Sequence, residues 1–135
     1  MSFISLNGLN DVRPPEVHSE GRVPLCIVDA KLTEKEGKTN IRCIIEIEEP
    51  HPNPGSSWAN MFHYVSMPNS NDDADKVQTK LRMAKQFFVQ FGVPFDNGVE
   101  VEQMVGCRAE GNIIQDEFEG QPKNVLKTDP LPKGV

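Results

Sequence analysis

The sequence predicts a mainly β domain in which five antiparallel strands carry one helix between the third and the fourth. Three observations predict it. Two adjoining runs, about Val23 to Leu32 and about Asn40 to Glu48, flank a polar turn with Gly37 at its tip. The second alternates strictly, with Ile41, Cys43, Ile45 and Ile47 on one face and Arg42, Ile44, Glu46 and Glu48 on the other, the pattern of a sheet with one buried face. Only one stretch has the period of a helix: Ala74, Val77, Leu81, Ala84, Phe88 and Phe91 are spaced 3, 4, 3, 4, 3, and Phe87 widens the stripe. Finally, 11 prolines and 10 glycines, mostly between the apolar runs, punctuate many short elements.

The chain has 135 residues, one domain's worth. Residues 1–22 mix Asn, Pro, Gly and Ser with little periodicity, and Arg13-Pro14-Pro15 reads as an extended tether. We read 1–22 as a flexible N-terminal arm, 23–127 as the folded domain and 128–135, rich in proline, as a flexible tail. In the first strand Leu25 and Ile27 point one way and Cys26, Val28 and Ala30 the other. After the second strand, the string PHPNPG from Pro50 to Gly55 is a loop. The third strand, about Trp58 to Met67, places Trp58, Asn60, Phe62 and Tyr64 on one face. Ala59, Met61, His63, Val65 and Met67 share the other. Both faces are apolar enough for a core, so which one is buried stays open. The helix is expected from about Asp72 to Phe91, capped by Asp72 or Asp73 and ended by Gly92 and Pro94. A fourth strand follows at about Val105 to Ile114, bent at Gly111, and a last one at about Lys123 to Lys127 after the Glu119-Gly120 turn. This order is the plan of the OB-fold, a small Greek-key barrel.

Composition narrows the function. The net charge of −6 argues against strong, purely electrostatic binding of nucleic acid, though not against a local basic groove. No apolar run approaches the roughly 20 residues of a membrane helix, and the N-terminus lacks the features of a signal peptide. A cytoplasmic protein is expected. Cys26, Cys43 and Cys107 are odd in number, lack C-x-x-C spacing and sit in apolar runs, so they read as buried thiols.

Single-stranded nucleic acid is held by aromatic platforms for the bases and by Lys or Arg along the phosphates. Trp58, Phe62 and Tyr64 are the best platform in the sequence. Lys31, Lys35, Lys38 and Arg42 on the first hairpin, with Arg108 and Lys123 on the last strands, are the candidate cations. His63 joins them if its face is the exposed one. Lys76, Lys80, Arg82 and Lys85 belong to the wet face of the helix. His18, His51 and His63 lack zinc-site spacing, and no P-loop, G-x-S-x-G or G-x-G-x-x-G occurs. The carboxylate pairs Glu46/Glu48 and Glu100/Glu102 have no third ligand at a fixed spacing, so a metal-dependent nuclease is the weakest reading. No cofactor and no metal are expected, and the chain reads as a non-enzyme.

The run RVPLCIVDAKLTEKEGKTNIRCIIEIEEP, followed by FFVQFGVPFDNG, MVGCRAE and GQPKNVLK, resembles a phage-encoded family of OB-fold-like proteins found among recombination and replication functions. The similarity covers about residues 21–132 and rests on the order and spacing of these motifs. It implies single-stranded DNA binding without strong sequence preference, with replication or recombination proteins as further partners and the host cytoplasm as location. The PHPNPGSSW insertion and the lack of an acidic C-terminal tail depart from the family pattern. The alternative is a protein-interaction or structural module on the same barrel. The N-terminal arm and exposed strand edges also suit a homodimer.

Overall fold

A computed structural model of the chain describes residues 2–135; Met1, the first residue of the expected arm, lies outside the described residues. Five strands form one antiparallel sheet: β1 (Gly21–Lys35), β2 (Lys38–Ile47), β3 (Met61–Ser66), β4 (Arg108–Phe118) and β5 (Gln121–Lys127). One helix, α1 (Ala74–Phe91), lies between β3 and β4. The spatial order is β3-β2-β1-β4-β5. The edges β3 and β5 come close to one another, yet no ladder joins them. The expected barrel is therefore a partly open one.

Both tight hairpins are two-residue turns with positive φ at each central residue, Glu36-Gly37 and Glu119-Gly120. This backbone matches the twist of the flanking strands, and glycine adopts it without strain. The core lies on the inner face, where Leu25, Ile27, Ile41, Ile45, Met61 and Ile113 meet Phe87 and Phe91 of the helix. Gly111 is buried where a helix side chain and two core leucines crowd the strand. A Cβ there would lie 2.9 Å from the Gln90 amide nitrogen and 3.0 Å from a Leu25 methyl.

The helix ends are set by Asp73, whose side chain accepts from the Lys76 N–H at 2.8 Å, and by Gly92 in the left-handed conformation. Asp72 has another role. It accepts from Lys80 Nζ at 2.8 Å and from the Asn69 N–H at 3.0 Å, which together hold its carboxyl below the usual range. Asp73→Ala is expected to lower stability by about 1 kcal/mol, read as a lower urea midpoint. An unchanged midpoint would mean that the cap bond contributes nothing.

The apolar stripe is only half used. Ala84, Phe87, Phe88 and Phe91 are buried, Val77 is half-buried, and Ala74 and Leu81 are exposed. Part of the expected arm runs beside the proline loop. Residues 13–19 are fixed along the proline loop: the Arg13 N–H donates to Gly55 O, the Glu16 N–H to Ser57 O and the Ala59 N–H to Glu16 O. His18 is buried, with its N–H on the Asn124 side chain at 2.8 Å.

Candidate nucleic-acid interface

The outer face of β1, β2 and β3 carries most of the candidate residues, and a bulge in β1 makes this arrangement. Ile27 pairs with Ile45 and Asp29 with Ile44, so Val28 is an extra residue in the ladder. Before it, Leu25 and Ile27 face the core. Past it the parity reverses, turning Ala30 inward toward the core and Lys31 outward. Regular alternation would have sent Lys31 inward. Instead Lys31 lies opposite Arg42, and Arg42 opposite Tyr64, in one row across three strands. The next row runs Asp29, Ile44, Phe62, and Lys35 and Lys38 pair beside the turn.

The buried face of β3 is that of Met61 and Val65; Phe62 and Tyr64 stand 56 % and 55 % exposed. The two rings are two residues apart, about 7 Å along the strand. His63 points inward, stacked on Phe87 at 4.6 Å, and does not join the outer face. Burial lowers its pKa to about 4.

Trp58 departs from the sequence expectation. It precedes β3, makes a parallel bridge with Glu16, and packs between the His18 and His51 rings at 4.4 and 4.2 Å. Its indole N–H is buried without a hydrogen-bond partner among the described residues. The proline loop and the N-terminal segment thus withdraw this ring from the row of Phe62 and Tyr64. The His51 ring lies tilted against it and the His18 ring meets it edge to face, so the indole is only partly exposed.

The cations divide in the same way. Arg108 Nε donates to both Glu48 oxygens at 3.0 and 3.2 Å, which raises its pKa and neutralises its charge locally. Arg42 is less engaged: Nη2 lies 3.9 Å from Asp29, beyond hydrogen-bond reach, and Nε is buried without a hydrogen-bond partner among the described residues. Lys123 flanks the cleft between the edges β3 and β5, a space of about 300 Å³ that Phe62 and Tyr64 also line. Its ammonium sits 5.2 Å from the centroid of Phe118. Phe118 is 62 % exposed beside the β4–β5 turn and is an outer-face aromatic that sequence reasoning missed, while Ile44 stands on the outer face as the alternation of the second strand required. An aromatic just before a Glu-Gly turn was the available signal.

Asp29 and Glu46 share the outer face, so its charge is mixed. Stacking must then dominate over counterion release in any affinity for a single strand. Among the described residues no group of three or more His, Cys, Asp or Glu is placed to hold a metal ion. Nor is any helix long and apolar enough to cross a membrane. Cys26, Cys43 and Cys107 are free thiols; burial pushes that of Cys43 up to about 12, while Cys107 is only half-buried. In comparisons with known proteins, no family model and no curated sequence matches the chain.

Proposed function

We propose that this protein binds single-stranded DNA without strong sequence preference, on the outer face of β1–β3. The observation that carries the reading is the row Lys31, Arg42, Tyr64 with Phe62 beside it: two half-exposed rings next to cations on one sheet face. Bases stack on Tyr64 and Phe62. Arg42 and Lys31 take the phosphates, with Lys35, Lys38 and Lys123 at the margins. The resemblance to the phage recombination and replication family supports the same reading and supplies its setting, a protein of the host cytoplasm that coats strands without catalysing a reaction. Arg108 and Trp58 are no longer part of the proposed contact surface, since Glu48 and the two histidines occupy them.

The test is a fluorescence-anisotropy titration with oligothymidine at several salt concentrations. With three to four cations engaged, log K is expected to fall against log salt with a slope of roughly −2 to −3. No binding at micromolar protein overturns the reading. A slope steeper than about −5 contradicts a stacking-led mechanism on a mixed-charge face.

A further inference from the structure

No ladder joins the edges β3 and β5 of the open sheet, and the arm ties the two sides together. His18 and Asn124 are the two buried polar residues among the described residues, and they hold one another. The His18 N–H donates to Asn124 Oδ1 at 2.8 Å, and the His18 carbonyl accepts from Asn124 Nδ2 at 2.9 Å and from Gln115 Nε2 at 3.0 Å. These bonds fix the His18 backbone to β4 and β5. Its ring reaches the other side of the seam. Nε2 lies 3.2 Å from Oε1 of Glu49, just past the end of β2, and the ring packs on Trp58, just before β3. The backbone bonds of Glu16 with Ser57 and Ala59 attach the same segment to the chain entering β3. Residues 16–18 are thus a strap across the seam. Asn124, which holds the strap, also lines the cleft that Phe62, Tyr64 and Lys123 share.

The contacts of the His18 ring define its charge. Nδ1 lies 2.7 Å from the Ser19 carbonyl oxygen, which only accepts, so Nδ1 carries a hydrogen. An ionised Glu49 carboxylate also only accepts, so Nε2 must carry one too. The ring that satisfies both is the imidazolium. His51, the other ring against Trp58, differs. Its Nδ1 accepts from the Asn53 N–H at 3.0 Å and its Nε2 donates to Glu16 at 3.1 Å, so the neutral ring makes both contacts. The other carboxylates of the segment are engaged elsewhere: Glu16 by His51, and Glu20 by the Gln115 N–H at 2.7 Å. The strands β4 and β5 face His18 with the neutral amides of Gln115 and Asn124. Glu49 makes no other ion pair among the described residues. We infer that His18 and Glu49 make the strap proton-operated: the protonated ring fastens it to the β3 side of the seam, and loss of that proton unfastens it. The neutral ring keeps its Nδ1 hydrogen on Ser19 and turns an Nε2 lone pair toward the Glu49 carboxylate, which repels it.

Amide hydrogen exchange of the full chain at pH ~5 and pH ~8, corrected for the intrinsic pH dependence of exchange, tests it; this span covers histidine titration while carboxylates stay largely ionised. The N–H groups of Glu16 and Ala59, whose bonds break when the strap opens, are the reporters. At the higher pH they are expected to lose about tenfold in protection, the lower end for a hydrogen bond to a charged group. The His18 N–H, held by the Asn124 amide, is expected to keep its protection. In Glu49→Gln the amide accepts from the imidazolium and donates to the neutral ring, so the loss is expected to shrink below about twofold. Glu49 is exposed, so this variant is expected to keep the wild-type melting temperature. His18→Gln is expected to abolish the loss, and His51→Gln to retain it. Acid destabilisation of the whole fold has the opposite sign and cannot imitate the result. Equal protection at the two pH values in the wild type, an undiminished loss in Glu49→Gln, or its disappearance in His51→Gln overturns the proposal.

Discussion

Replacing Phe62 and Tyr64 together by alanine is expected to weaken binding of oligothymidine by about 30-fold or more. Each stacked base contributes roughly 1–3 kcal/mol by alanine substitution, so removing two platforms costs at least about 2 kcal/mol. The fold is expected to survive, because both rings project from the outer face and neither belongs to the core. A melting temperature close to wild type would verify this. Arg108→Ala in the same titration is expected to change affinity by less than about twofold, since Glu48 already takes up that charge. An undiminished affinity in the double variant would remove β3 from the binding surface. A large loss in Arg108→Ala would move that surface toward the β1–β4 side of the sheet.

The division between Tyr64 and Arg108 illustrates which parts of the site were legible in the sequence. Local features were. The alternation of Ile41, Cys43, Ile45 and Ile47 requires a one-sided strand, and with it Arg42 on the outside. The aspartates before Ala74 and the glycine after Phe91 bracket the helix, because capping needs those residues at those places. Features set by distant contacts were not. The Arg108–Glu48 pair joins residues 60 positions apart. The bulge at Val28 breaks no sequence pattern, since Cys26, Val28 and Ala30 are all small or apolar and read equally well as one strand face. The aromatic alternation from Trp58 through Phe62 to Tyr64 continued smoothly across a strand boundary. That boundary is imposed by the bridge to Glu16 and the enclosure by His18 and His51. The stripe of α1 likewise announced more burial than the short sheet provides. What a face can bury depends on the partner's extent, and no single segment encodes that.

The same alternation of β3 that exposes Tyr64 sets His63 half-buried on the inner face, and its consequence appears in acid. His63 lies opposite Cys43 on the inner face and stacks on Phe87 with the ring planes 12° apart. Burial disfavours the imidazolium, so its pKa falls from 6.5 to about 4. In the unfolded chain the ring takes a proton below about 6.5; in the folded chain it does so only near 4. Between these values the unfolded state holds the extra proton, so stability falls as the pH is lowered and is fully restored above about 6.5. Over the whole interval the loss is about 3 kcal/mol, a large share of the stability of a domain this size. Urea midpoints measured from pH 7 to pH 4 are expected to drop steeply across this window. His63→Phe, which keeps a flat ring against Phe87 and cannot take a proton, is expected to flatten that drop. The slope left in the variant comes from carboxylates such as Asp72, whose depressed pKa confines their contribution to the acid end. A wild-type profile as flat as that of the variant would mean that water reaches His63 in the folded state. The inward parity of β3, and with it the outward placing of Phe62 and Tyr64, would then be wrong.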